Sequence, residues 1–443
     1  MSLSYHRGLP LARALLWLAL AWITQASRVA AQDTLVLKDG TELEGRVTEA
    51  FDPKVWRIEV NGRAQEIPRS EVQSSRLLND RLAAFLDLRQ PGMDGGAAAR
   101  LAQQAAAAGL EHIARLQAYQ ALLIDPGQEA AHEFLAHQRR GKSWRWRLDG
   151  KLLKDERFFK AFEDIGNAEV LRSTHFEVRC SAGFRTAVEA LFDLERLYVT
   201  WLAEFGQELR PREVLDPIRF QIHGDPDEVS FHSFVLRHVH YDPGRLLGND
   251  QQPEPRAVTY SPGLGQRPVR LFDLGVQALL YQALLGEKLT LVPRDTRVYR
   301  ECTLIEIGLG GWFQRRLAGP QGFARFEAEV PRDSATFDLA AIPARSEPLD
   351  DVDTELERLI LLAYGRLQLV RGENPLYWAR CRAWGEYFLD PAATLDGRSP
   401  RGGWARLVRE LYHTASGSVR PRWEAAFEVS LERLQAEYDA WLR

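Results

Sequence analysis

Two apolar segments in the second half of the chain, 272–285 and 301–316, constrain the fold more than any other feature. Each reads as an apolar helix. In the first, Phe272-Asp273-Leu274-Gly275-Val276-Gln277-Ala278-Leu279-Leu280-Tyr281, Asp273 and Gln277 interrupt an otherwise apolar run. Residues four apart lie on one helix face, so these two polar groups project side by side. The second segment, Leu304-Ile305-Glu306-Ile307-Gly308-Leu309-Gly310-Gly311-Trp312-Phe313, is rich in glycine but lacks the Gly-x-x-x-x-Gly-Lys spacing of a phosphate loop. Its glycines therefore predict close helix packing.

These two helices resemble the metal-binding pair of the peptidase MA-like domains, relatives of the gluzincins. There the first helix carries His-Glu-x-x-His, which supplies two zinc ligands and the general base. The corresponding ligand positions here are Asp273 and Gln277, and the base position is Leu274. The second segment is similar to Trp-Leu-x-Glu-Gly-Leu-Ala-Glu-Tyr-Phe, whose Glu before the Gly is the third ligand; that position is Ile307. Flanking patterns follow the family's order: a first strand at 173–178, a long helix at 184–205 and a strand at 218–222. Tyr241-Asp242-Pro243 and 257–260 come next, ahead of the ligand helix, and a closing helix lies at 427–438. The resemblance implies an α+β, zincin-like domain over 167–332 with a helical C-terminal part at 333–443.

A catalytic zinc site needs three protein ligands, an open position for water and a nearby base. Asp273 can ligate, Gln277 is a poor ligand, and neither Ile307 nor Leu274 can perform its family role. Moving the register by one residue brings in Glu306, but that rotates the side chain about 100° around the helix. His238 and His240 are two apart and would share one face of a strand. With Asp273 they form an alternative zinc set, beside His232 in the same stretch. The resemblance thus implies a pseudo-metallopeptidase without a cofactor. It would bind a polypeptide or cell-envelope partner through a former cleft containing Asp273, Gln277, Tyr281, Glu306, Trp312 and Tyr241. A metal-dependent peptidase or hydrolase with a non-standard ligand set is the competing reading.

The N-terminal leader places the protein outside the cytoplasm. His6, Arg7 and Arg13 precede an apolar run at 14–23, and small residues allow cleavage after Ala31 or after Ala26. The run is shorter than the roughly 20 residues that span a bilayer. The expected mature chain is a periplasmic or extracellular protein without a membrane span. A net charge of −4 disfavours nucleic acid as a partner. The only cysteines, Cys180, Cys302 and Cys381, are too few and too scattered for a disulfide framework.

Between leader and main domain two smaller modules are expected. Residues 32–76 alternate in strand fashion around Lys38-Asp39-Gly40 and Asn61-Gly62, a pattern that resembles small SH3-like or Sm-like β-barrels. Such a barrel reads as a docking module or as a structural cap. Residues 77–150 turn helical, with helices at 97–108 and 111–124 separated by Gly109-Leu110, and another beginning at 130–139. This resembles one and a half tetratricopeptide repeats, fewer than an independent array needs, so it reads as a connector. The basic, aromatic stretch Gly141-Lys142-Ser143-Trp144-Arg145-Trp146 ends it. Further helices are expected at 353–370, 374–388 and 423–442, the first preceded by the acidic residues Asp350, Asp351 and Asp353.

Overall fold

The structure, a computed structural model, describes residues 33–49, 54–60, 63–148, 150–166, 168–209, 214, 216–225, 240–242, 256–263, 265–281, 296–318, 354–357, 359–360, 375–413 and 419–443. The leader with its cleavage positions, His232, His238 and the acidic run at 350–353 lie outside the described residues. The protein is α+β and divides into two compact units, Met1–Gln117 and Ala118–Arg443. No described helix is long and apolar enough to cross a membrane.

The first unit opens with five antiparallel strands, β1 (Asp33–Leu37), β2 (Glu42–Glu49), β3 (Val55–Val60), β4 (Arg63–Pro68) and β5 (Val72–Arg76), in the order β4-β3-β2-β1-β5. The first half of β2 pairs with β1 and its second half with β3, so the sheet bends where the two ladders meet. Gly45 sits at that corner, where a Cβ would lie 3.0 Å from the carbonyl carbon of Glu59. The expected closed barrel does not form among the described residues, because β4 pairs only with β3 and β5 only with β1. The reason lies in the edges. Arg63 to Glu66 of β4 and Gln73 to Arg76 of β5 are all exposed, so closing the sheet would bury little apolar surface.

Asp33 anchors this sheet to the helices. Its carboxylate accepts from Val47 N at 2.9 Å and from Leu78 N, the first residue of α1 (Leu78–Leu88). Helix α2 (Gly95–Ala107) starts on an Asp94 cap, whose side chain accepts from Ala97 N at 2.7 Å. It stops where the sequence predicts: Gly109, at φ 75°, donates to Ala106 O while Leu110 donates to Ala105 O. The boundary between the units falls within α3 (Glu111–Ile124).

The second unit departs at once from the expected helix at 130–139. Helix α4 (Glu129–Phe134) ends early because Ala136 takes up a left-handed backbone at φ 55°, and the chain continues as β6 (Gln138–Arg140). The basic, aromatic stretch is strand β7 (Ser143–Leu148), which pairs with β6 and with β8 (Lys151–Leu153). Trp146 turns inward from β7 against Phe158 of α5 (Asp155–Lys160), and both rings pack on Phe184.

The main sheet contains β9 (Val170–Arg172), β10 (Phe176–Cys180), β11 (Ile218–His223), β12 (His240–Asp242) and β13 (Arg256–Tyr260), in the order β12-β13-β11-β10-β9. Strands β10, β11 and β13 are parallel, and the two edge strands run against them. Helix α6 (Phe184–Leu209) packs on β10 along an apolar face that includes Val188, Leu191, Leu194, Tyr198 and Trp201. At the apolar interface a polar pair is buried: His175 Nδ1 lies 2.8 Å from Glu195 Oε2, while His175 N donates to Glu195 Oε1 at 2.7 Å.

Against this layer pack α7 (Leu271–Leu279), α8 (Thr296–Ala318) and α10 (Arg401–His413), and on these helices in turn pack α9 (Pro375–Leu389), α11 (Val419–Phe427) and α12 (Leu431–Leu442). The single helix expected at 423–442 is two helices, because Glu428 adopts φ 63° and Ser430 then caps α12 by accepting from Arg433 N. Of the helix expected at 353–370, only residues 354–357 and 359–360 are described.

Candidate functional site

Helices α7 and α8 lie side by side in one unit, and α8 also packs on α9. Their approach is set by glycine. A Cβ on Gly310 would stand 2.8 Å from the Cα of Asp273, and one on Gly385 of α9 would stand 2.6 Å from the carbonyl oxygen of Gly308. Gly275 similarly accommodates Leu194 and Leu197 of α6. The glycine-rich stretch of α8 is therefore a packing surface, as its sequence context predicts.

Asp273 is the polar centre of this junction. It is only 2% exposed, so it does not open onto the cleft that the resemblance implies. The physical reason is charge pairing. Arg270, one turn earlier, places Nε 3.1 Å from Asp273 Oδ2, and Arg382 of α9 places Nη2 3.3 Å from the same oxygen. Arg382 is itself 7% exposed, and its stem lies over Gly311, whose Cβ would meet Arg382 Cδ at 2.9 Å. A buried carboxylate requires a compensating cation. Here two guanidinium groups supply it, and a divalent cation at the same oxygen would be repelled by both.

The other positions singled out in the sequence spread around this centre. Gln277 is half-buried one turn along α7, and Tyr281 is buried just past the end of that helix. Leu274 and Ile307, which the resemblance would align with the base and the third ligand, are buried apolar side chains. Glu306 is buried on α8, where the residue that meets Asp273 is Gly310. Trp312 is half-buried between Phe205, at a ring distance of 5.9 Å, and the guanidinium of Arg316, 5.0 Å from its centroid. His240 and Tyr241 belong to edge strand β12, which packs beside α7; their side chains, like all of His238, lie outside the described residues. Among the described residues no group of three or more His, Cys, Asp or Glu side chains could hold a metal ion.

Sequence reasoning missed the residues that neutralise the site. Arg270 could have been found, since a cation three residues before an acid at a helix start is a local pair. Arg382 could not, because it arrives from 109 residues away. Glu386 of α9, one turn beyond Arg382, is buried and pairs with Arg315 of α8, extending the charged seam along the helix contact.

A second titratable cluster lies under β7. His132 Nε2 is 2.9 Å from Pro126 O, and His132 Nδ1 is 2.8 Å from His137 Nδ1. A carbonyl only accepts, so His132 carries its proton on Nε2. Its Nδ1 is then the acceptor and His137 donates from Nδ1. His132 stacks on Trp144 at 4.3 Å. Burial lowers the pKa of His132 from its ordinary value, opposed by the Pro126 carbonyl and the charges of Asp155 and Asp125. All three cysteines are free and buried, and burial pushes the Cys180 thiol up to about 12, so it is no nucleophile.

Comparison with protein-family models, with curated proteins and with solved structures finds no match.

Proposed function

We propose that this chain is an exported, noncatalytic relative of the gluzincin-type peptidases that holds polypeptide or an envelope protein without cleaving it. One observation carries the reading: Asp273, at the first ligand position, is neutralised by Arg270 and Arg382, while Leu274 and Ile307 occupy the base and third-ligand positions. A site in that state can neither hold an ion at Asp273 nor deprotonate a water bound to it. The order of elements supports the family: strand β10, long helix α6, strand β11, the antiparallel edge strand β12, then β13 and the adjoining helices α7 and α8.

Strand β12 is the outermost described strand on its side of the sheet, next to α7. An extended polypeptide added there would satisfy its main-chain groups by strand addition. Within the same proposal the bent five-stranded sheet is an SH3-like or Sm-like module, and α2 with α3 is a tetratricopeptide-like hairpin; both would assist docking.

Elemental analysis of the purified chain combined with a casein-derived peptide assay tests the proposal. The expected result is no stoichiometric zinc and saturable peptide binding without new termini. One zinc per chain together with peptidase activity, both lost in the His238→Ala, His240→Ala double variant, would overturn it in favour of the hydrolase.

A further inference from the structure

The small sheet β6-β7-β8 has two faces of opposite character. Cross-strand partners share a face, and the register pairs Gln138 with Arg145, Arg140 with Ser143, and Arg147 with Leu152. One face therefore carries Arg140, Arg145 and Arg147, with Arg145 on the central strand and Leu152 beside Arg147 on edge strand β8. The other carries Trp144 and Trp146, which pack toward α4 and α5. Arg140 and Arg147 are exposed, and Arg145 and Leu152 are half-exposed. Lys142, exposed in the β6–β7 turn, adds a fourth cation at the rim. Among the described residues none of these four cations makes an ion pair, whereas Arg139, on the opposite face, pairs with Glu129 at 2.5 Å. Among the described residues, none of the paired strand positions on the arginine face is acidic.

We infer that the arginine face of the β6-β7-β8 sheet docks on the surface of a bilayer containing anionic phospholipid. Charge complementarity carries the choice of partner. Adjacent strands lie about 4.8 Å apart and same-face residues about 7 Å apart along a strand, so the three guanidinium groups spread over a face instead of converging on one anion. Such an array matches a plane of phosphates, with Leu152 at its β8 edge suited to the headgroup boundary. Single-stranded nucleic acid fits poorly, because base stacking needs exposed rings and both tryptophans of β7 point the other way.

Co-sedimentation of the full chain with vesicles tests the inference, comparing phosphatidylcholine alone with phosphatidylcholine mixed with phosphatidylglycerol. Binding is expected only to the mixed vesicles and is expected to vanish at high salt, where the screening length falls to about 3 Å. The Arg140→Ser, Arg145→Ser, Arg147→Ser triple variant should partition about a hundredfold less, from about fivefold for each cation near an anionic surface. Because the leader stays the same, any attraction of its own is common to both chains. The matching triple Lys variant should bind as the parent does, since a plane of charge needs cations and not guanidinium forks. Equal binding to both vesicle types, an unchanged Ser variant, a Lys variant that fails to bind, or tighter binding to duplex DNA or polyglutamate than to mixed vesicles would each overturn the inference.

Discussion

Replacing Arg382 with Met removes one guanidinium from Asp273 while keeping most of the stem that covers Gly311. Both partners are nearly inaccessible, at 7% and 2% exposure, and the group removed lies 3.3 Å from Asp273 Oδ2. Breaking a buried ion pair from one side costs about 3–5 kcal/mol, because the remaining charge stays desolvated. Arg270 remains at 3.1 Å and its side chain is one-fifth exposed, so the lower end of that range, about 3 kcal/mol, is expected here. In urea, with a slope of about 3 kcal/mol/M, the unfolding midpoint should fall by about 1 M at unchanged slope. Tryptophan fluorescence is a suitable probe, since Trp384 lies two residues from the substitution. A second arm adds Asp273→Leu, and the double variant should return to within about 1 kcal/mol of the parent, since apolar replacements for a buried pair are tolerated. An Arg382→Met chain that unfolds at the parental midpoint would refute the claim that this guanidinium neutralises Asp273.

Two further outcomes are expected. Gly385→Ala should destabilise the second unit by about 1–3 kcal/mol or more, since its Cβ would press on the Gly308 backbone; Gly402→Ala, with nothing within 4 Å of its Cβ, serves as the control in the same unfolding assay. Acidification below the ordinary histidine value of 6.5 should also destabilise the protein: the folded pKa of His132 is lowered, so the unfolded chain binds the proton first and stability is lost as pH falls. One proton gives a slope of at most about 1.4 kcal/mol per pH unit. His132→Asn should remove that contribution. Glu355, whose pKa burial raises above 4.5, contributes the opposite slope as pH rises, so the difference between the two chains' pH–stability curves is the relevant readout.

The elements legible in the sequence were those whose signals are local. The apolar stripe of α6, the alternation of Ile218, Phe220 and Ile222 in β11, and the stop at Gly109-Leu110 all fall where periodicity and end signals put them. The pairing of α7 with α8 was expected from the resemblance of the two segments to a peptidase helix pair, and the two helices do pack together. What escaped was set by distant or atypical partners. Ala136 ends α4 in a left-handed conformation more often taken by Gly or Asn, so nothing at that position announced β6. At the candidate site, the sequence identified Asp273 but gave no sign that a guanidinium from α9 would seal it.

The contact between Gly308 and Gly385 also limits how the helix layer can move. In most helix pairs side chains form a cushion that allows small sliding motions. Here backbone meets backbone, and one turn to either side of Gly308 stand Leu304 and Trp312. A slip of one turn, about 5.4 Å, would drive one of those side chains into a gap too narrow for a single methyl group. Translation along the helix axes is thereby blocked, and rocking about the glycine contact is the low-cost freedom left to α8 and α9.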